Sequence, residues 1–160
     1  GMEGKASNIC LIPARAAITL LFLSCVLFIW HNSMESAEVS SGRSGRITEA
    51  VNEFLAQSGN GTVTEHFIRK LAHFSEYGAE GVLTVLLFVV YCLKPAKSWR
   101  IIILTGMLTA VVDESIQFFS AGRSPGIGDI CIDMAGFICG MLPVLAVWYL
   151  CTTSHMKDCC

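Results

Sequence analysis

Four apolar runs, each close to the length that crosses a bilayer, constrain this chain more than any other feature of its sequence. A helix rises about 1.5 Å per residue, so roughly 20 mostly apolar residues traverse the hydrocarbon. Residues 11–30, 71–93, 101–120 and 130–151 approach that requirement. Composition points the same way. Of 160 residues, 53% are apolar before the 14 glycines are counted, and only 15% are charged. A soluble domain carries about 25% charged residues. So few charges cannot cover so much apolar surface in water, which excludes a soluble globular enzyme, a disordered chain and a basic nucleic-acid binder. The formal net charge of −2 gives no general attraction for a polyanion. The expected fold is an all-α integral membrane protein. Residues 1–160 would form one domain, a four-transmembrane-helix bundle with a short amphipathic helix in the first extracytoplasmic loop.

In the first run, Arg15 lies near one end, where it can snorkel, and Trp30 marks the other interface. No small-residue cleavage site follows Trp30, so the run reads as a retained span rather than a signal peptide. Residues 33–61 are rich in Ser and Gly and read as an extramembrane loop. Within it Ile47, Ala50, Val51, Phe54 and Leu55 recur at helical spacing, the pattern of an amphipathic helix on the membrane surface or over the bundle. Thr62 and Glu65 have capping-box spacing, so the second helix is expected to start near Val63 and to run until Lys94-Pro95 stops it. That exceeds a span, and its first two turns should project from the hydrocarbon or line a hydrated cavity. The third and fourth runs are joined by a short turn and form an antiparallel hairpin. Lys94, Lys97 and Arg100 crowd one loop, whereas residues 33–61 carry only Arg43 and Arg46; this density places both termini in the cytoplasm. Cys25, Cys92, Cys131, Cys139 and Cys151 lack metal-like spacing and read as small packing residues, with Cys159-Cys160 as incidental tail thiols.

The remaining charges sit where an apolar span should exclude them. At 100° per residue, His66, Lys70, His73, Tyr77, Glu80 and Thr84 fall within about 80° of one another on the second helix, with Glu76 to one side. Gly106, Thr109, Ala110, Asp113, Gln117 and Ser120 make a second stripe, with Glu114 at its edge. Asp129, Asp133, Gly136, Gly140 and Pro143 make a third, in which Gly136-x-x-x-Gly140 admits a neighbouring backbone. All three stripes lie at the same end of their helices and should converge on one outward-facing cluster. Ionisable groups in a span cost at least about 2.5–3.5 kcal/mol each, which marks such a cluster as functional; an ion-paired network that only ties helices together is the alternative. Six acids (Glu76, Glu80, Asp113, Glu114, Asp129 and Asp133) face three bases, Arg69, Lys70 and Arg123. Some of the acids must therefore be protonated, hydrated or paired with a bound cation. Asp113, about 10 Å below the outer end, is expected to pair with Arg123 or Lys70.

The stretch KLAHFSEYG from Lys70 to Gly78, DESIQFF from Asp113 to Phe119, Arg123, and DICIDMAGFICG from Asp129 to Gly140 together resemble the VanZ-like family of small membrane proteins. The family is named for a protein that lowers susceptibility to the glycopeptide antibiotic teicoplanin. The resemblance covers about half the chain, residues 70–150, and Asp133 stands where the family pattern usually has Asn. It implies a multi-pass protein of the bacterial cytoplasmic membrane, with a site drawn from Lys70, His73, Glu76, Tyr77, Asp113, Glu114, Gln117, Arg123, Asp129 and Asp133.

Two readings follow for that site. In one, Lys70, His73 and Arg123 grip an anionic group on a lipid-linked cell-wall precursor or on a glycopeptide, and the carboxylates orient them. In the other, His73, Glu76, Asp113 and Glu114 hold a divalent cation in a membrane-embedded hydrolase or transferase acting on a lipid-linked substrate. Oxygen-rich ligands suit Mg²⁺ or Ca²⁺, and the histidine admits Zn²⁺.

Overall fold

The computed structural model describes the backbone of residues 3–124 and 126–157, with side chains over 11–124 and 126–153. The Cys159-Cys160 pair lies outside the described residues. Within them the chain is all-helical: α1 Glu3–Met34, α2 Ala37–Gln57, α3 Glu65–Val90, α4 Trp99–Phe119 and α5 Ile127–Lys157, with one 3-10 turn at Pro95–Lys97. Four segments are long and apolar enough to span a bilayer, Leu11–Met34, Glu65–Val90, Trp99–Phe119 and Ile127–Thr153. Their outward side chains are apolar, among them Leu20, Leu27, Leu104, Leu108, Leu142 and Leu150, as lipid-facing surfaces require. The chain is a multi-pass membrane protein.

The central helix is α3, which packs against α1, α2, α4 and most extensively α5. Its contact with α5 is backbone to backbone. A side chain at Gly136 would overlap the Phe74 carbonyl, and one at Gly140 would overlap that of Gly78. The expected small-residue motif therefore sets how closely the two helices approach. Ile29, Tyr77, Val85, Ile102, Ala110 and Phe137 form the buried apolar core.

Several boundaries differ from the sequence expectation. The N-cap of α3 is Thr64, whose hydroxyl accepts from Phe67 N at 3.2 Å, rather than Thr62. Its C-terminus comes before Lys94-Pro95, because Cys92 adopts φ 58° and Leu93 N donates to Phe88 O at 2.9 Å. That is a Schellman closure, which satisfies the last carbonyls without proline.

The largest difference lies in residues 33–61. Most of this Ser-rich segment is a 21-residue helix, α2, capped by Ser36 and longer than the short helix expected. Ser40 and Ser44 are its buried residues and let it lie close on the bundle, while Val39, Ile47 and Phe54 point outward. Of the expected apolar set only Val51 and Leu55 are half-buried. At the far end, Asn52 and Val63 exchange two hydrogen bonds of 3.1 and 2.7 Å, which fastens α2 to the segment entering α3. The cysteines are likewise less buried than expected: Cys92, Cys131, Cys139 and Cys151 are exposed and only Cys25 is half-buried. On α5 these thiols belong to the outer, lipid-facing surface rather than to the core.

Candidate functional site

The C-terminal ends of α1 and α4 meet the N-terminal ends of α3 and α5 at one end of the bundle. Contacts between them fix this arrangement: Ser120 Oγ donates to Ser33 O at 2.7 Å, and Ala37 N donates to Ala121 O at 2.9 Å. Gly122, at φ 75°, lets the α4–α5 connection pass beside α2, where an added Cβ would come within 3.1 Å of the Ala37 Cβ.

A cavity of about 250 Å³ opens among these ends. Of the residues expected from sequence, Lys70, His73, Glu114, Gln117, Arg123, Asp129 and Asp133 line it, together with His66 and Arg69. Lys70 Nζ lies 3.2 Å from Asp129 Oδ1, an ion pair with both side chains more than a third exposed. Asp129 sits in the first turn of α5, where its charge also suits the helix dipole. Arg69 donates to Glu65 Oε1 at 2.6 Å and to Ser41 Oγ at 2.8 Å, linking the site to α2.

Behind this mouth burial deepens from His73 to the acids beside it. His73 Nδ1 lies 3.9 Å from Asp113 Oδ2 and 3.8 Å from Asp133 Oδ1. Asp113 is 0% and Asp133 1% exposed. Gln117 Nε2 donates to Asp113 Oδ2 at 3.1 Å and to Glu114 Oε1 at 3.2 Å, and so holds the two α4 carboxylates. Asp113 Oδ1, Asp133 Oδ2 and the Tyr77 hydroxyl are buried with no hydrogen-bond partner. Deeper still, the Thr109 hydroxyl donates to Glu80 Oε1 at 2.8 Å.

The quartet expected to hold a cation, His73, Glu76, Asp113 and Glu114, is not the set brought together. Glu76 turns toward α1, where Asn32 Nδ2 donates to its Oε1 at 2.9 Å, and it lines a second cavity of about 210 Å³. Glu114 accepts from Gly126 N at 2.9 Å. Asp133 occupies the place expected of them, and His73, Asp113 and Asp133 offer ligand atoms all within 4.8 Å of one another. Nor does Asp113 pair with Arg123 or Lys70. Arg123 donates instead to the carbonyls of Asn32 at 3.1 Å and Glu35 at 3.3 Å. Burial is the largest influence on its guanidinium and pushes its pKa below the usual arginine value; the Arg69 charge acts in the same direction.

Sequence reasoning did not include Asn32 or Ser33 in the site, and counted Arg69 only as one of the bases facing its acids. Asn32 and Ser33 are buried at the end of α1 and bond Glu76 and Gln117. Their signal was available: two polar residues directly follow an apolar run that otherwise ends at Trp30-His31.

The arrangement is a cationic mouth over an acidic floor. Lys70, Arg69 and Arg123 surround the cavity, and uncompensated carboxylates lie beneath it. Such a site can accept an anionic group from the membrane boundary and present it to buried acids and an imidazole. A model of the VanZ/LLP1 family matches residues 17–150 of the chain. No curated protein and no solved structure gives a significant match.

Proposed function

Because the chain belongs to the VanZ/LLP1 family of membrane proteins, we propose that it binds the anionic group of a lipid-linked cell-envelope component in the cavity lined by Lys70, His73 and Arg123. The observation that carries this reading is the grouping of Arg69, Lys70, His73 and Arg123 around one opening at the end of the bundle. Lipid phosphates lie at that level of a membrane, and charge-assisted hydrogen bonds to Arg and Lys are the strongest available to a phosphate oxygen. The acyl or polyprenyl tail would lie along the apolar outer surface of α4 and α5, where Val111, Phe118 and Ile127 line an open groove. Asp129 holds Lys70 in place, Glu65 holds Arg69, and the carbonyls of Asn32 and Glu35 hold Arg123.

On this reading the positively charged 94–100 loop and both termini are cytoplasmic, and the cavity opens outward. A role in lowering glycopeptide susceptibility then follows if the bound ligand is a cell-wall precursor. The test is binding of a polyprenyl phosphate to the purified protein in detergent, followed by native mass spectrometry. Lys70→Gln should weaken binding at least about tenfold, the loss of one charge-assisted contact. Arg46→Gln, on the outward face of α2, should leave binding unchanged. Equal affinities for all three proteins would refute the proposal.

A further inference from the structure

Three observations converge on the floor of the cavity lined by Lys70, His73 and Arg123. The first is spacing. His73 Nδ1 stands 3.9 Å from Asp113 Oδ2 and 3.8 Å from Asp133 Oδ1, too far for good hydrogen bonds. Atoms that ligate one ion at about 2.0–2.6 Å lie roughly 3–4 Å from each other, so the gap matches a shared ion with little rearrangement.

The second is unmet bonding capacity. Asp113 and Asp133, 0% and 1% exposed, each keep one oxygen without a hydrogen-bond partner. The Tyr77 hydroxyl, on the next turn of α3 from His73, is buried and also unpartnered. Asp133 and His73 themselves line the cavity.

The third is charge. The nearby bases are engaged elsewhere: Arg69 with Glu65, Lys70 with Asp129, and Arg123 with two backbone carbonyls. Two buried carboxylates with no fixed cation must take up protons or a bound cation. A proton would bridge one short contact, whereas a metal ion fits a three-cornered gap.

We propose that His73, Asp113 and Asp133 form a divalent-cation site whose open side faces the cavity. One nitrogen and two carboxylate oxygens suit Mn²⁺ or Zn²⁺. Gln117 orients Asp113 through its 3.1 Å hydrogen bond, and the positions left free face the space where a phosphate would enter. The site does not depend on the anion reading, although an ion there would draw the same group inward. It also supplies what a hydrolase or transferase on a lipid-linked substrate requires, an electrophile beside buried acids.

The experiment uses the full chain, purified in detergent, stripped with chelator and titrated with Mn²⁺ while the electron paramagnetic resonance signal of free Mn²⁺ is followed. Mn²⁺ is chosen because the eight cysteines bind it poorly. The expected result is about one ion retained per chain. Asp113→Asn and Asp133→Asn should weaken retention at least about tenfold, while Glu76→Gln, whose carboxylate faces Asn32, changes it by less than about twofold. The wild-type stoichiometry does not depend on any variant folding. No retention of Mn²⁺ by the wild type overturns the proposal. So does a loss in Glu76→Gln as large as that in Asp113→Asn, which would place the ion on the other side of His73. Polyprenyl phosphate binding to the metal-free protein, measured in parallel, reports on the anion pocket alone.

Discussion

The guanidinium of Arg123 donates to the carbonyl oxygen of Asn32 at 3.1 Å, so the basic residue of the α4–α5 connection closes the C-terminal end of α1 instead of neutralising a carboxylate. Carbonyls in the last turn of a helix lack intrahelical partners and carry the negative end of its dipole. Arg123→Gln should therefore lower stability by about 1–2 kcal/mol, with Arg123→Lys intermediate. Thermal unfolding in detergent measures this. Equal melting temperatures for the three proteins would show that the contact does not hold α1.

Asp113→Asn keeps the shape of the side chain and its hydrogen bond from Gln117, but removes a buried charge. In metal-free protein its stability should equal or exceed that of the wild type, while Mn²⁺ binding falls. A variant that melts several degrees lower and loses binding only in proportion to unfolded protein would mark Asp113 as a structural tie.

Gly140→Ala places a methyl group against the Gly78 carbonyl and must push α3 and α5 apart. Overpacking of this kind costs about 1–3 kcal/mol or more. Gly45→Ala, on α2 with no atom within 4 Å of the added Cβ, should instead be neutral or stabilising by up to about 1 kcal/mol. A pair of melting curves decides it, and a stable Gly140→Ala protein would contradict the close backbone contact.

Topology is checked by labelling single cysteines, in a chain whose native cysteines are replaced, with a membrane-impermeant maleimide on intact cells. A cysteine at Arg46 should react, and one at Lys97 should react only after permeabilisation. The reverse pattern would put the cavity on the cytoplasmic face and remove the envelope reading.

Much of this was legible in sequence because helical periodicity is a strong signal. The 100° step placed Lys70, His73, Tyr77 and Glu80 on one face of α3, and Asp129 and Asp133 on one face of α5. Periodicity fixes a face but not a rotamer or a neighbour. Glu76, beside the stripe, went to Asn32 on α1, and Glu114 went to the backbone of Gly126, so the residues gathered around His73 differed from those expected. The reading of residues 33–61 as loop followed from the weak helix propensity of Ser and Gly. In the fold those small side chains have a use that local propensity cannot register: Ser40 and Ser44 let α2 settle onto the bundle.

The backbone contact between α3 and α5 also determines which parts of the molecule are able to move. Two helices whose carbonyls meet glycine Cα atoms behave as a single beam, so the floor of the cavity cannot widen by one sliding along the other. By contrast, α2 is hung from α1 by two residues, Glu35 and Ser36, and is fastened by side chains such as Arg69 to Ser41 and by the single backbone bond from Ala37 to Ala121. Any change in the shape of the cavity therefore has to come from the connections and side chains at its rim, while the α3–α5 pair beneath it keeps its spacing.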